Sequence, residues 1–219
     1  AVACRSYGRP AMVVVFDVDT GEILEDLRGH TAAVLSVRFS PDGSRLGLTI
    51  NTSQTPSDSF VLDLGEDPLE YGDLTRWTFS EVGGLDTSTF VLPELVSFPT
   101  FDSGSGGPES IPAWVYRPPG DGPHPVIISI HGGPEAQARP AFSSTYQMWL
   151  QKLGAAVIQP NVRGSDGYGK HYLSLDNGFK REDSVKDIGA LLDWIATQPD
   201  LDENRVAVFG GSYGGYMVL

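Results

Sequence analysis

The hydrophobic pattern divides the chain into two regions that meet near residue 95. In the first region, short runs of β-branched and aromatic residues alternate with turn residues such as Pro, Asp and Gly, which predicts strands joined by tight turns. The predicted strands are residues 13–16, 35–39, 46–50 and 60–64. Four strands within about fifty residues are the content of one β-propeller blade. We interpret residues 66–93, rich in acidic and turn residues, as the end of the propeller and a solvated linker.

The second region alternates predicted strands with predicted helices. Residues 95–101 and 111–116 flank a polar, Gly-rich segment and are expected to pair antiparallel. The further elements are the strands 125–130, 155–159 and 205–209 and the helices 143–153 and 182–197. Continuous apolar strands that alternate with amphipathic helices predict a largely parallel sheet with helices on its faces. The predicted fold class is therefore α/β, preceded by a partial β-propeller.

Residue spacing also assigns roles to positions on the two helices. In the first helix, Tyr146 and Trp149 recur at helical spacing and are expected to pack in the core rather than bind a ligand. In the second helix, Ser184 and Asp187 have capping-box spacing, which predicts that they close the helix N-terminus. The acidic residues of this helix and Lys186 are expected to form a solvated face.

The amino-acid composition argues against several classes of function. The 28 acidic and 15 basic residues give a formal net charge of −13, which disfavours attraction to nucleic acid or to an anionic membrane. The single cysteine, Cys4, cannot form an internal disulfide, and no Cys/His cluster has metal-ligand spacing, so we expect neither a metal nor a cofactor. No apolar run approaches a membrane span. A soluble protein is expected, in the cytoplasm or in a periplasmic or secreted location, and the oligomeric state stays open.

The strongest chemical signal is a G-x-S-x-G motif, residues 210–214, directly after a predicted strand. In a strand–turn–helix context this motif predicts a nucleophilic serine, here Ser212, on a sharp turn. Gly210 and Gly214 remove side chains that would collide with neighbouring elements, and the Tyr213 N–H, at the start of a helix, is expected to stabilise an oxyanion. The alternative is a Gly-rich turn that contains an incidental serine.

Two further loops follow strands and carry candidate site residues. After the strand 125–130, the N–H groups of Gly132 and Gly133 are candidates for the second oxyanion donor. In α/β folds that carry a G-x-S-x-G turn after a strand, the general base follows the serine in the sequence. We therefore expect His131, which precedes Ser212, to have a positional or hydrogen-bonding role. In the loop 161–169, Arg163 is a candidate for binding a substrate carboxylate, and an arginine that pins the loop is the open alternative.

Taken in this order, the motifs resemble the prolyl oligopeptidase family of serine peptidases, in particular its acylaminoacyl-peptidase-like and dipeptidyl-peptidase-like members. The motifs are His-Gly-Gly-Pro at 131–134, Asn-Val-Arg-Gly-Ser at 161–165, Gly-Tyr-Gly at 167–169 and Gly-Gly-Ser-Tyr-Gly-Gly at 210–215. Residues 29–43 resemble a WD40-type blade repeat, in which His30 would be structural. The resemblance implies a partial propeller and linker at 1–94 and an α/β-hydrolase domain at 95–219.

The resemblance also implies a Ser-His-Asp peptidase that cleaves small peptides, with the propeller screening access to the site. In this fold the triad runs Ser, Asp, His, yet all four histidines, at positions 30, 124, 131 and 171, precede Ser212. Our hypothesis is that the chain is a fragment truncated at both ends, without the triad Asp and His, and inactive alone. The alternatives are an esterase or lipase-like hydrolase and a non-catalytic propeller–hydrolase binding module.

Overall fold

A computed structural model describes the strands at 2–5, 12–16 and 23–27 and the continuous segments 33–65 and 71–219. The chain divides into two compact units, Ala1–Phe90 with Pro140–Ser143, and Val91–Arg139 with Ser144–Leu219. The predictions for His30 and for residues 66–70 lie outside the described residues, as does that for the side chain of Cys4.

The first unit contains two antiparallel sheets. One has three strands, β1 (Val2–Arg5), β2 (Met12–Phe16) and β3 (Ile23–Leu27). The other is a four-stranded meander of β4 (Ala33–Phe39), β5 (Arg45–Asn51), β6 (Asp58–Leu64) and β7 (Tyr71–Arg76).

All four predicted runs of the first region are strands, but their grouping into one sheet was wrong. Residues 13–16 pair within the three-stranded sheet, and the fourth strand of the meander is β7. The sequence Tyr-Gly-Asp-Leu-Thr-Arg of β7 has few apolar residues and lies where a linker was predicted. Pairing with β6 forms this strand despite its weak intrinsic pattern, because strand propensity depends strongly on context.

Asp58 ties the start of β6 to the segment that follows β7. Its carboxylate is 2% exposed and accepts hydrogen bonds from the guanidinium of Arg76, from Thr78 Oγ1 and from the N–H and hydroxyl of Ser80. Burial opposes ionisation, but these donors together hold the pKa of Asp58 below its ordinary value. A charged, fully bonded carboxylate thus fastens one end of the four-stranded sheet.

The second unit is built on a five-stranded mixed sheet. Its strands are β8 (Glu94–Phe98), β9 (Ile111–Tyr116), β10 (His124–Ile130), β11 (Ala156–Pro160) and β12 (Leu201–Gly210), in the spatial order β12-β10-β11-β9-β8. Its helices are α1 (Ser144–Lys152), α2 (Lys170–Leu173), α3 (Asp183–Ala196) and α4 (Tyr213–Val218). The strand β10 runs parallel to β11 and β12, and β8 pairs antiparallel with β9, as the sequence predicted. The α/β class is thereby confirmed.

The sheet is covered by apolar side chains from the helices, and its middle strands are almost fully buried. In β10 and β11, Val126, Ile128, Ala156 and Ile158 have at most 1% exposure and join one core with Leu191 of α3. The strand β10 pairs with both β11 and β12 and runs parallel to β12. The loop at 131–134, which follows β10, therefore lies at the same edge of the sheet as the turn after β12.

The structure corrects two predictions for the helix α3. Asp187 was expected on a solvated face, yet it is fully buried because it bonds Arg163 and Thr100. The capping box also does not form: the residue before the helix is Glu182, without a side-chain cap, and Ser184 Oγ bonds the Arg181 carbonyl instead. In both cases a tertiary contact decides the conformation of a polar side chain that local spacing had assigned to the helix end.

Among the residues that the structure describes, no helix is both long and apolar enough to cross a membrane.

Candidate active site

Ser212 occupies a strained turn between β12 and α4. Its φ of 55° and ψ of −121° place it outside the ordinary helical and strand regions, and among the described residues it alone has a positive φ without being glycine. Such a conformation costs about 1–3 kcal/mol and persists only where the surroundings impose it. The side chain is exposed, so the turn presents the Ser212 hydroxyl to solvent at the edge of the sheet.

The turn depends on two glycines, at which neighbouring backbone atoms leave no room for a side chain. A β-carbon at Gly210 would lie 2.5 Å from the carbonyl carbon of Gly214, and one at Gly214 would lie 2.3 Å from the carbonyl oxygen of Ile130. Both distances are far below van der Waals contact, and both partners are backbone. The G-x-S-x-G spacing therefore has the steric cause that the sequence suggested: residues two before and two after Ser212 must lack side chains.

The loop that follows β10 lies directly against the serine. A β-carbon on Gly132 would be 3.4 Å from Ser212 Cβ and 3.9 Å from its Oγ. Gly133 has a φ of +91°, a conformation that favours glycine, and a β-carbon there would be 2.9 Å from Ala136 Cβ. Within the described part of the chain, no hydrogen-bond acceptor is found for the N–H of Gly132 or of Gly133. The structure thus brings Gly132 against Ser212, and the other predicted site residues, Gly133 and Tyr213, adjoin these two in the chain.

His131 is held by both of its ring nitrogens. Nδ1 is 2.9 Å from the carbonyl oxygen of Gly132, and Nε2 is 3.0 Å from Ser165 Oγ. Burial lowers the pKa of His131 below its ordinary value, and the Gly132 hydrogen bond only partly offsets this, so the ring is neutral at pH 7. These contacts support the positional role that the sequence suggested.

The side chain of Tyr213 anchors the start of α4 to a buried polar group. Its hydroxyl is 2.6 Å from Ser184 Oγ and 3.4 Å from Asp176 Oδ2, and its ring faces the guanidinium of Arg181 at 5.5 Å. Because Ser184 donates its proton to the Arg181 carbonyl, the Tyr213 hydroxyl supplies the proton for its contacts with Ser184 Oγ and Asp176 Oδ2, which share it. The Tyr213 N–H, one proposed oxyanion donor, is thus carried by a residue whose side chain is fixed.

Asp176 is the buried acid of this group. It is fully buried, it pairs with Arg181 through Oδ2, and its Oδ1 has no hydrogen-bond partner among the described residues. Burial raises the pKa of Asp176, although the charge of Arg181 opposes the rise. A β-carbon at Gly164 would overlap this carboxylate at 2.2 Å, so the loop passes over it only because residue 164 is glycine.

Arg163 lies apart from the serine in an ion-pair cluster. It is 2% exposed; Nη1 and Nη2 form a bidentate pair with Asp102 at 2.9 and 2.7 Å, and Nε bonds Asp187 at 3.0 Å. Burial disfavours the charge, but the two carboxylates raise the pKa of Arg163 above its ordinary value, and Arg163 in turn lowers the pKa of Asp102. Of the two roles left open by the sequence, these contacts support an arginine that pins its loop, and substrate binding finds no support in them.

The acidic residues around Tyr213 and around Arg163 were not predicted from the sequence as parts of buried clusters. Asp102 was placed in a polar hairpin, Asp176 was not singled out, and Asp187 was assigned to a helix cap. The signal available for Asp187 was its helical position, because it lies one residue before the buried Ile188 and four before the buried Leu191. No local pattern distinguishes Asp102 or Asp176 from a solvated acid.

Comparison with known proteins shows which proteins this chain is similar to. Residues 140–219 match the sequence profile of the prolyl oligopeptidase family. An uncharacterized peptidase, YuxL, of Bacillus subtilis (strain 168) is 29% identical over 209 residues, which are 93% of this chain and 30% of that protein. Dipeptidyl aminopeptidase BIII of Pseudoxanthomonas mexicana is 36% identical over 99 residues, 45% of this chain and 14% of that protein. The chain thus spans less than a third of the length of these relatives.

A solved acylaminoacyl peptidase, in complex with Z-Gly-Gly-Phe-chloromethyl ketone, superposes with a TM-score of 0.75 at 20% identity, covering 99% of this chain and 32% of that chain. At this identity the superposition shows a shared fold. Together with the profile match it confirms the resemblance that the motifs suggested. The residues that match the profile, 140–219, include the Ser212 turn.

Proposed function

We propose that this chain is part of a serine peptidase that hydrolyses short peptides through an acyl-enzyme on Ser212. The observation that carries the proposal is the geometry of that residue: an exposed serine, held at a positive φ between β12 and α4, against the glycine loop that follows β10. The family match and the peptidase relatives support the class of reaction. We further propose that the first unit is part of a β-propeller and the second the front part of an α/β-hydrolase domain.

In the proposed reaction, Ser212 Oγ attacks the scissile carbonyl carbon while a general base takes its proton. The carbonyl oxygen becomes an oxyanion that accepts hydrogen bonds from the N–H of Tyr213 and from that of Gly132 or Gly133. Collapse of this intermediate releases the amine, which takes the proton from the base, and leaves an ester on Ser212. Water then attacks the ester by the same route and frees the acyl group.

The general base is the component that the described residues do not supply. Both ring nitrogens of His131 are engaged with Gly132 and Ser165, while His171 is exposed on α2. We propose that the triad Asp and His are encoded after residue 219 and that the 219-residue chain by itself is inactive. A purified 219-residue chain that hydrolysed a peptidyl ester at an enzyme-like rate, and lost this in Ser212→Ala, would refute the second statement.

The experiment that tests the function uses the product of the complete reading frame. Hydrolysis of aminoacyl and peptidyl p-nitroanilides is compared with hydrolysis of p-nitrophenyl esters, for the wild type and for Ser212→Ala. We expect anilide hydrolysis that falls by about 10³-fold or more in Ser212→Ala, and a fluorophosphonate probe that labels Ser212. The matched control is Ser174→Ala, an exposed serine at the end of α2, which should retain wild-type rates.

Three outcomes would contradict the proposal. Ester hydrolysis without anilide hydrolysis would favour an esterase. Turnover that persists in Ser212→Ala would place the nucleophile elsewhere. Absence of turnover together with a reading frame that lacks a later Asp and His would favour a non-catalytic binding module.

A further inference from the structure

We propose that Ser184, at the start of α3, is a positioning residue for the nucleophile turn and that it acts through the side chain of Tyr213. The inference rests on the proposed function, which makes Ser212 the nucleophile and leaves open what holds its strained turn in place. The bond between Ser184 and Tyr213 joins residues 29 positions apart, so it ties the turn to a distant part of the chain.

The turn at residues 210–215 has one side chain that can anchor it. Four of its six residues are glycine, and the side chain of Ser212 is exposed. The remaining side chain is that of Tyr213, the residue directly after the nucleophile. The φ of 55° at Ser212 is strained, so contacts with the surroundings must maintain it. Among the side chains of the turn, only Tyr213 can supply such contacts.

The side chain of Tyr213 is held at its hydroxyl and on its ring. The hydroxyl oxygen is 2.6 Å from Ser184 Oγ, and the guanidinium carbon of Arg181 is 5.5 Å from the centre of the ring. The ring also packs against the core of the second unit and stacks on Tyr216, with the ring centres 5.8 Å apart. Because the ring is fixed, the backbone of Tyr213 and the peptide bond that joins it to Ser212 have little freedom to shift.

Ser184 can anchor the ring because it is itself fixed. It is fully buried, and its hydroxyl donates to the Arg181 carbonyl at 2.6 Å. Since that bond uses the Ser184 proton, the Ser184 oxygen accepts from Tyr213. The guanidinium of Arg181 pairs with the fully buried Asp176 at 2.5 Å, which keeps the cation beside the ring. The acceptor for Tyr213 therefore belongs to the buried core around α3.

These contacts predict an effect on kcat and none on KM. Ser184 is fully buried, so a substrate bound at the exposed hydroxyl of Ser212 does not contact it. Loss of the anchor lets the strained turn relax, which moves Ser212 Oγ away from the position of attack. Small displacements of a reacting group lower the rate steeply. The binding of the ground-state substrate does not depend on this displacement.

The test measures hydrolysis of a peptidyl p-nitroanilide by the product of the complete reading frame. We expect Ser184→Ala and Tyr213→Phe each to lower kcat by about 3–10-fold with KM within about twofold, the loss that corresponds to one neutral hydrogen bond. The double variant should lose no more than the larger single loss, because both changes break the same bond. The matched control is Tyr146→Phe, which removes a hydroxyl 2.8 Å from Ser129 Oγ in the same unit and should keep the wild-type kcat.

Several results would overturn the inference in an enzyme that depends on Ser212. The first is a wild-type kcat in Ser184→Ala, and the second is a pair of losses that multiply in the double variant. An equal loss in Tyr146→Phe and Tyr213→Phe would show that any destabilised variant loses activity. A raised KM with unchanged kcat in Tyr213→Phe would place the phenol hydroxyl in substrate binding.

A structural readout keeps the inference separate from the proposed function. If the wild type shows no turnover that depends on Ser212, the proposed function fails, and crystal structures of the wild type and of Ser184→Ala decide the inference. A Ser212 turn that keeps its wild-type φ in the variant would refute it, and a relaxed turn would support it. Tyr213→Phe serves for the same comparison if Ser184→Ala does not fold.

Discussion

The carbonyl oxygen of Ile130 lies 2.3 Å from the point where a side chain at Gly214 would begin. This contact joins the end of β10 to the first turn of α4, on either side of the Ser212 turn. Both partners are backbone in well-packed elements, so neither can move away cheaply.

Gly214→Ala is therefore expected to displace the turn or to destabilise the fold by about 1–3 kcal/mol, the usual cost of overpacking. Urea unfolding measures the stability, and labelling of Ser212 by a fluorophosphonate in the complete protein reports the position of the nucleophile. Gly211→Ala is the matched control, because a β-carbon there meets no atom within 4 Å. Equal behaviour of the two variants would show that the close contact does not constrain the turn.

Arg163→Leu is expected to destabilise the second unit by about 3–5 kcal/mol, because it leaves the buried carboxylate of Asp187 and the partly buried carboxylate of Asp102 without their cation. Chemical denaturation provides the measurement. Arg205→Leu, which removes an exposed pair with Asp202, should change stability far less. If instead Arg163→Leu kept its stability and raised KM for acidic substrates in the complete enzyme, Arg163 would be a substrate ligand after all.

Strands and helices were predictable here where the apolar pattern was continuous. The strand β10 was predicted at 125–130 and found at His124–Ile130, and α3 was predicted at 182–197 and found at Asp183–Ala196. The strand β7 was not predicted, because only pairing with β6 makes its polar sequence extended. The local pattern of apolar residues indicates whether an element is buried, but it does not indicate which strand pairs with it.

In the candidate site, too, the local features were predictable from the sequence and the long-range contacts were not. The turn at Ser212 was predictable because its glycine requirement is local in sequence. The bond between His131 and Ser165 joins residues 34 positions apart, and that between Thr100 and Asp187 joins residues 87 apart. From the sequence alone, a buried carboxylate such as Asp187 cannot be distinguished from one at the surface, because the sequence does not show which cation pairs with it. These contacts could therefore be seen only in the structure.

Tyr213→Phe is expected to lower stability by about 1 kcal/mol, since it removes the hydroxyl that donates to Ser184. Ser184→Ala should cost a similar amount or more, because Ser184 also bonds the Arg181 carbonyl. In a double-mutant cycle measured by urea unfolding, the two changes should be less than additive. Strict additivity would mean that the short contact contributes nothing to folding.

Asp176 predicts a distinctive dependence of stability on pH. Burial raises its pKa in the folded state above the value of about 3.8 expected when unfolded, so between these two values the folded state binds more protons. The contribution of this residue to the free energy of unfolding is therefore largest below 3.8 and falls as pH rises through the folded-state pKa. Asp176→Asn should remove this decline in stability measured from pH 4 upward. An unchanged pH profile in Asp176→Asn would indicate that the carboxyl is not perturbed.

The position of β12 in the sheet has a practical consequence. This ten-residue strand pairs with β10 on one side, and among the described residues no strand pairs with its other side. An uncovered row of N–H and C=O groups is a template for pairing between molecules. A preparation of these 219 residues alone should therefore aggregate as its concentration rises, and a charged residue introduced on the outer side of β12 should raise its solubility.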